Sequence, residues 1–156
     1  MDQRHDVAIE MAKIYHILTP AGIEQLTNIL VPMRYSKGEI ILKEGEVSKF
    51  IYFIRKGFLR QFYFKNGKDL TEPLSFEGDL VQCIESFYKQ EPTYLQIEAM
   101  ENSLIYGIPY DIINQLAEVS CELGIFYRKI LEKSLIVSQQ KANRLRFEDA
   151  QSRYRM

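Results

Sequence analysis

The chain has 156 residues and a formal net charge of −1, and is 46% hydrophobic, 12% aromatic and 26% charged. That is the size of one domain, able to bury about 68–70% of its unfolded surface without a metal or disulfide staple. It is too rich in aromatic residues for disorder and too evenly charged for a wholesale nucleic-acid binder. Two cysteines, Cys83 and Cys121, with no CxxC spacing, exclude a disulfide framework, a thiolate zinc site and a four-thiolate iron–sulfur cluster within this chain. The only histidines, His5 and His16, both lie near the start and cannot supply an HExxH site or a metal cage. No metal or haem is expected. No apolar segment follows Met1, and no apolar run approaches ~18 residues. Neither a secretory signal nor a membrane span is expected, and the default location is cytoplasmic.

Three zones follow in chain order. In residues 7–30, Val7, Met11, Ile14 and Ile17-Leu18 recur at helical spacing. Thr19-Pro20 then offers an N-cap and a first-turn proline, and Ile23, Leu26 and Ile29-Leu30 form the next apolar stripe, ending near Val31-Pro32. Residues 31–109 change period. The runs Ile40–Leu42, Phe50–Ile54, Phe58–Phe64, Leu70–Leu74, Leu95–Ala99 and Leu104–Ile108 are separated by glycines and read as strands. Asn66-Gly67 predicts a hairpin, because both central residues of a type I′ turn need positive φ. Short strands at this spacing indicate a sandwich or barrel.

Residues 110–156 return to helical period, with a short helix over Tyr110–Val119 and a long one from about Cys121 to Gln151. Leu116, Leu123, Ile130 and Val137 recur every seventh residue, beside a second line through Leu131, Leu135, Ser138, Ala142 and Leu145. A helix of ~30 residues is ~45 Å long, more than a small sandwich covers. The excess face calls for its own copy in a homodimer, with Leu123, Ile130, Leu131, Ser134, Val137, Ser138, Ala142 and Leu145 as the seam. The alternative is a helix folded back over its own sheet.

This order of helix, glycine-punctuated strands and long final helix resembles a known family. Tyr35–Glu46 (YSKGEIILKEGE) resembles the opening of cyclic-nucleotide-binding domains, Phe50–Gly57 (FIYFIRKG) is similar to their next strand and turn, and Glu77-Gly78-Asp79-Leu80 to the entry of their ligand cassette. The long helix is similar to the dimerisation helix of Crp/Fnr-type transcription regulators. The resemblance spans about Leu18 to Ala150. It implies a mainly β fold with flanking helices: a double-stranded β-helix, or jelly roll, with a long C-terminal dimerisation helix, in a single domain over 1–156. It implies an effector-sensing role rather than an enzyme. DNA would be reached only through a helix-turn-helix that this chain does not contain and that would begin about where it stops.

In that family the cassette supplies a Gly-Glu pair and, further on, an Arg followed by Ser or Thr, for the ribose hydroxyl and the phosphate. Here the Gly-Glu positions hold Gln82 and Cys83, and the Arg and Ser/Thr positions hold Thr93 and Tyr94. Two lost hydrogen bonds to charged groups are worth ~3–6 kcal/mol, or roughly two to four decades of affinity. Tight binding of cyclic AMP or cyclic GMP is therefore not expected. The effector-pocket candidates are Gln82, Cys83, Glu85, Ser86, Thr93, Tyr94 and Gln96. They offer donors and acceptors without an anion clamp, although Arg55 or Arg60 could turn inward. Either the pocket takes a different, neutral or cationic, metabolite, or it is vestigial and filled by Phe87 and Tyr94. Cys83, between Val81 and Ile84, reads as a buried, inert thiol. Glu98 and Glu101 read as a solvated face.

The small net charge is a cancellation. From Arg128 onward eight basic residues face three acidic ones, +5, leaving −6 for the remainder. A basic helix end would suit phosphate steering, but it is equally the polar face of an exposed helix. Three functional classes stand at this point: an effector sensor, a ligand-free dimerisation module, and a cupin-type enzyme. The last needs a His/Glu metal set that the sequence lacks.

Overall fold

The structure, a computed structural model, describes residues 3–71 and 74–154. Two helices open the chain, α1 (Arg4–Tyr15) and α2 (Pro20–Ile29). Thr19 caps α2, its hydroxyl accepting from the Gly22 N–H at 3.3 Å, with Pro20 in the first turn. Among the described residues eight strands follow: β1 (Val31–Tyr35), β2 (Ile40–Leu42), β3 (Phe50–Lys56), β4 (Leu59–Lys65), β5 (Lys68–Thr71), β6 (Leu80–Val81), β7 (Gln96–Ala99) and β8 (Ser103–Pro109). A short helix, α3 (Ile84–Lys89), interrupts them, and α4 (Tyr110–Val119) and α5 (Cys121–Tyr154) close the chain.

The strands form two antiparallel sheets, ordered β1-β8-β3-β6 and β2-β7-β4-β5. Period-2 alternation sorts one strand into two cores. From β3, Ile51 and Phe53 point to the helices, while Tyr52 and Ile54 point between the sheets. From β8, Leu104, Tyr106 and Ile108 join the helical core and Ile105 the inter-sheet core. That double burial explains why these strands are nearly continuously apolar. The expected hairpin forms between β4 and β5, with φ of 53° at Asn66 and 77° at Gly67.

Three elements differ from expectation. Val31-Pro32, read as a helix end, opens β1. Proline is tolerated there because β1 is an edge strand, where an absent N–H costs no ladder bond. The run Leu70–Leu74 contributes strand only to Thr71. Leu74 follows outside any strand, and residues 72 and 73 lie outside the described residues. The third difference is in α5. Leu123, Phe126, Tyr127 and Ile130 are buried in the helical core with Val7, Met11 and Leu26. Leu123 and Ile130 therefore belong to the domain's own core and form no part of an exposed seam. Among the described residues no helix is long and apolar enough to cross a membrane.

Candidate functional site

The cassette runs from β6 through α3 to β7. Gln90 ends α3 in the left-handed conformation, φ 54°, and its side-chain N–H donates to the carbonyls of Phe87 at 2.7 Å and Ser48 at 3.0 Å. Ser86 is buried. Its hydroxyl accepts from the Ser48 N–H at 2.9 Å and donates to the Glu91 carbonyl at 2.6 Å. Thr93, also buried, donates its hydroxyl to the Leu95 carbonyl at 2.9 Å and accepts from the Leu95 N–H at 3.0 Å. The Thr93 main chain is bonded to the loop at Gly45 and Glu46, both at 2.8 Å. Two of the candidate polar groups thus hold the cassette's own turns in place.

These turns enclose a cavity of about 280 Å³, close to the lower end of the range for small-molecule sites. Six expected residues line it: Gln82, Cys83, Glu85, Ser86, Thr93 and Tyr94. Gln96 does not. It lies on β7 opposite Phe62, outside the wall. Phe87 is turned away into the helical core, edge-on to Tyr88 and Tyr110 at 4.9 and 5.2 Å. Tyr94 is 58% exposed and stands at the rim, edge-on to Tyr63 at 5.9 Å. Neither ring fills the space.

The wall contains no cation among the described residues. Arg60 points to the outer face, bonded to Glu98 at 2.7 Å and to Asp69 at 3.0 and 3.1 Å, with its guanidinium 4.0 Å from the Phe62 ring centre. Glu98 is accordingly an ion-pair partner, not a freely solvated carboxylate. Arg55 turns toward α1 and pairs with Glu10 at 2.6 Å. Lys89 pairs with Glu85 on the exposed side of α3 at 3.3 Å. Burial pushes the Cys83 thiol up to about 11, against a smaller opposing effect of a hydrogen bond with Thr93. This thiol is protonated at neutral pH and poorly nucleophilic. No group of three or more His, Cys, Asp or Glu side chains among the described residues is placed to hold a metal ion.

A second cavity, about 350 Å³, lies between β6 and α5. Asp79, Leu80 and Val81 form one wall, and Ile130, Lys133, Ser134, Val137 and Ser138 the other. Three more residues assigned to the dimer seam, Ser134, Val137 and Ser138, thus line a cavity against the chain's own roll. The two cavities share Gln61, Gln82 and Ile84. Sequence reasoning missed Gln61, whose neighbour Leu59 is buried in the inter-sheet core. Inward alternation along β4 from Leu59 was the available signal. Elsewhere on α5, Leu131 and Ala142 are half-buried, and Leu135, Ile136, Val137, Leu145 and Phe147 are exposed.

A family model described as the cyclic nucleotide-binding domain matches residues 32–120. The anaerobic regulatory protein of Haemophilus influenzae is 28% identical over 114 residues, covering 72% of this chain and 44% of that protein. The chain thus spans less than half the length of this curated relative. Among solved structures, the catabolite activator protein of Thermus thermophilus superposes with a TM-score of 0.71 at 18% identity, covering 89% of this chain and 64% of that one. The sensor domain of the transcriptional regulator DNR from Pseudomonas aeruginosa superposes with a TM-score of 0.65 at 14% identity, covering 90% of this chain and 95% of that one.

Proposed function

Because the chain belongs to the cyclic nucleotide-binding domain family, we propose that it is the effector-sensing and dimerisation portion of a Crp/Fnr-type transcription regulator whose effector is not cyclic AMP. The observation that carries this reading is the 280 Å³ cavity at the family's ligand cassette, which has no cation in its wall and meets α5 through shared residues. The size suits a small effector. The wall does not suit a phosphate, since it carries two carboxylates, Glu85 and Glu91, and no cation, Lys89 pairing with Glu85 from outside it. An effector acts here only by binding two arrangements of α5 unequally. In the longer protein, α5 would carry that difference to a DNA-reading module, and the whole would work in the cytoplasm as a homodimer. The exposed Leu135, Ile136, Leu145 and Phe147 supply the apolar surface for the second copy. The regulator relatives favour this role over an enzymatic one.

A calorimetric titration of the chain with cyclic AMP tests the effector claim. No saturable heat is expected below about 100 μM ligand, given the two to four decades of affinity removed with the Glu and Arg contacts. Micromolar or tighter binding overturns it. A second reading, a ligand-free module with a vestigial pocket, draws on the internal bonding of Ser86 and Thr93. It expects no compound in a metabolite library to raise the melting temperature.

A further inference from the structure

Gln82 lines both cavities, of which one borders α5. Its side-chain N–H donates to the Ser134 hydroxyl on α5 at 2.8 Å, and its side-chain oxygen accepts from the Tyr88 hydroxyl on α3 at 2.8 Å. Its main-chain carbonyl accepts from the Gln61 side chain at 3.0 Å. Ser134 in turn donates to the Ile130 carbonyl at 3.0 Å, and the Tyr88 ring stacks on Tyr127 of α5 at 6.3 Å. One carboxamide therefore ties the cassette to the long helix while separating the two cavities. The position matters. Past Ile130 every α5 side chain that the structure describes is half-buried or exposed, so packing holds this stretch weakly and a directional bond counts for more.

We propose that Gln82, which lines both cavities, is a latch, and that a ligand in the cavity between β6 and α5, which Ser134 also lines, acts by displacing the Gln82 carboxamide from Ser134 and Tyr88. The ligand half of this proposal rests on the effector-sensing reading; the latch itself does not. The two partners define the ligand's chemistry. One neutral hydroxyl gives a proton and the other receives one, which matches an uncharged molecule with adjacent acceptor and donor, as in a carboxamide.

Gln82→Gly removes the latch and leaves a space of carboxamide shape. Hydrogen exchange, read by mass spectrometry on the α5 peptide spanning 134–142, is expected to accelerate about tenfold, while β3 and β8 exchange as before. Acetamide at high concentration should slow the exchange again, and acetate should not. Ser134→Ala should accelerate the same peptide without rescue by acetamide. If Gln82→Gly loosens the whole fold, Ser134→Ala, which removes a single hydroxyl, carries the test. Unchanged exchange in Ser134→Ala, or rescue of Gln82→Gly by acetate as good as by acetamide, overturns the proposal. A latch that opens as expected, with no metabolite shifting the wild-type melting temperature, supports the latch and removes the effector-sensing reading.

Discussion

Glu122, in the first turn of α5, closes the start of α2 through Thr19. One carboxylate oxygen accepts from the Thr19 N–H at 2.6 Å and the other from the Thr19 hydroxyl at 2.7 Å. Residues 103 positions apart thus pin the first and last layers of helices together. The backbone bond, then the hydroxyl bond, hold the carboxylate below its ordinary pKa of 4.5, aided by His16. A lowered folded pKa stabilises the fold fully above the ordinary value, and that contribution is lost as pH falls through the lowered one. Glu122→Gln should lower the melting temperature at pH 7 and make it less sensitive to acid below about pH 4.5. Equal melting temperatures of variant and wild type at pH 7 would refute this role.

The proposed dimer seam lies on the outer part of α5. Leu135 and Leu145 are 69% and 54% exposed, so charges there leave the domain's own core intact. Each buried leucine contributes about 1.5–3 kcal/mol, counted on both copies of a symmetric interface. The double variant Leu135→Glu, Leu145→Glu should therefore raise the dimer dissociation constant by at least ~100-fold. Sedimentation velocity should then give a single-chain mass with an unchanged circular dichroism spectrum. A persistent dimer would place the seam elsewhere.

Gly57 joins β3 to β4 with φ of +91°. A Cβ there would sit 2.9 Å from the Ser103 Cα, a backbone atom that cannot swing aside. Gly57→Ala combines that clash with left-handed strain, for a loss of about 3 kcal/mol. For a domain of this length the melting temperature should fall by about 6–12 °C. A fall below 2 °C, by the same conversion, would mean that the turn relaxes freely.

The two cysteines should differ sharply in reactivity. Cys83 is buried and its thiol is pushed up to about 11, whereas Cys121 is exposed. Iodoacetamide at pH 8 should label Cys121 at least ~100-fold faster, as peptide mass spectrometry would resolve. Comparable rates would show that the cassette opens readily and that Cys83 is not an inert thiol.

Local chemistry was legible wherever neighbours in sequence decide the outcome. Asn66-Gly67 requires positive φ wherever it sits, and Thr19-Pro20 caps a helix by its own atoms. The short, nearly continuously apolar runs of β3 and β8 and the helical period of α4 and α5 likewise depend on residues a few positions apart. The cassette was placed by family resemblance and not by local chemistry, and six of the seven candidate residues line one cavity.

What stayed hidden depends on contacts distant in sequence. β1 reads as the end of a helix until β8 supplies its ladder, and β6 is only two residues long. The arginines Arg55 and Arg60 carry no mark of direction; Glu10 and Glu98 decide it from 45 and 38 residues away. The long apolar stripe of α5 was one periodic feature in the sequence. Tertiary packing divides it into a core face at Leu123 and Ile130, a half-buried Ser134 on the cavity wall, and an exposed remainder that includes Val137 and Ser138 at the cavity's open edge. Helical periodicity specifies that an apolar face exists; only the surfaces brought against it determine which of its residues are already covered.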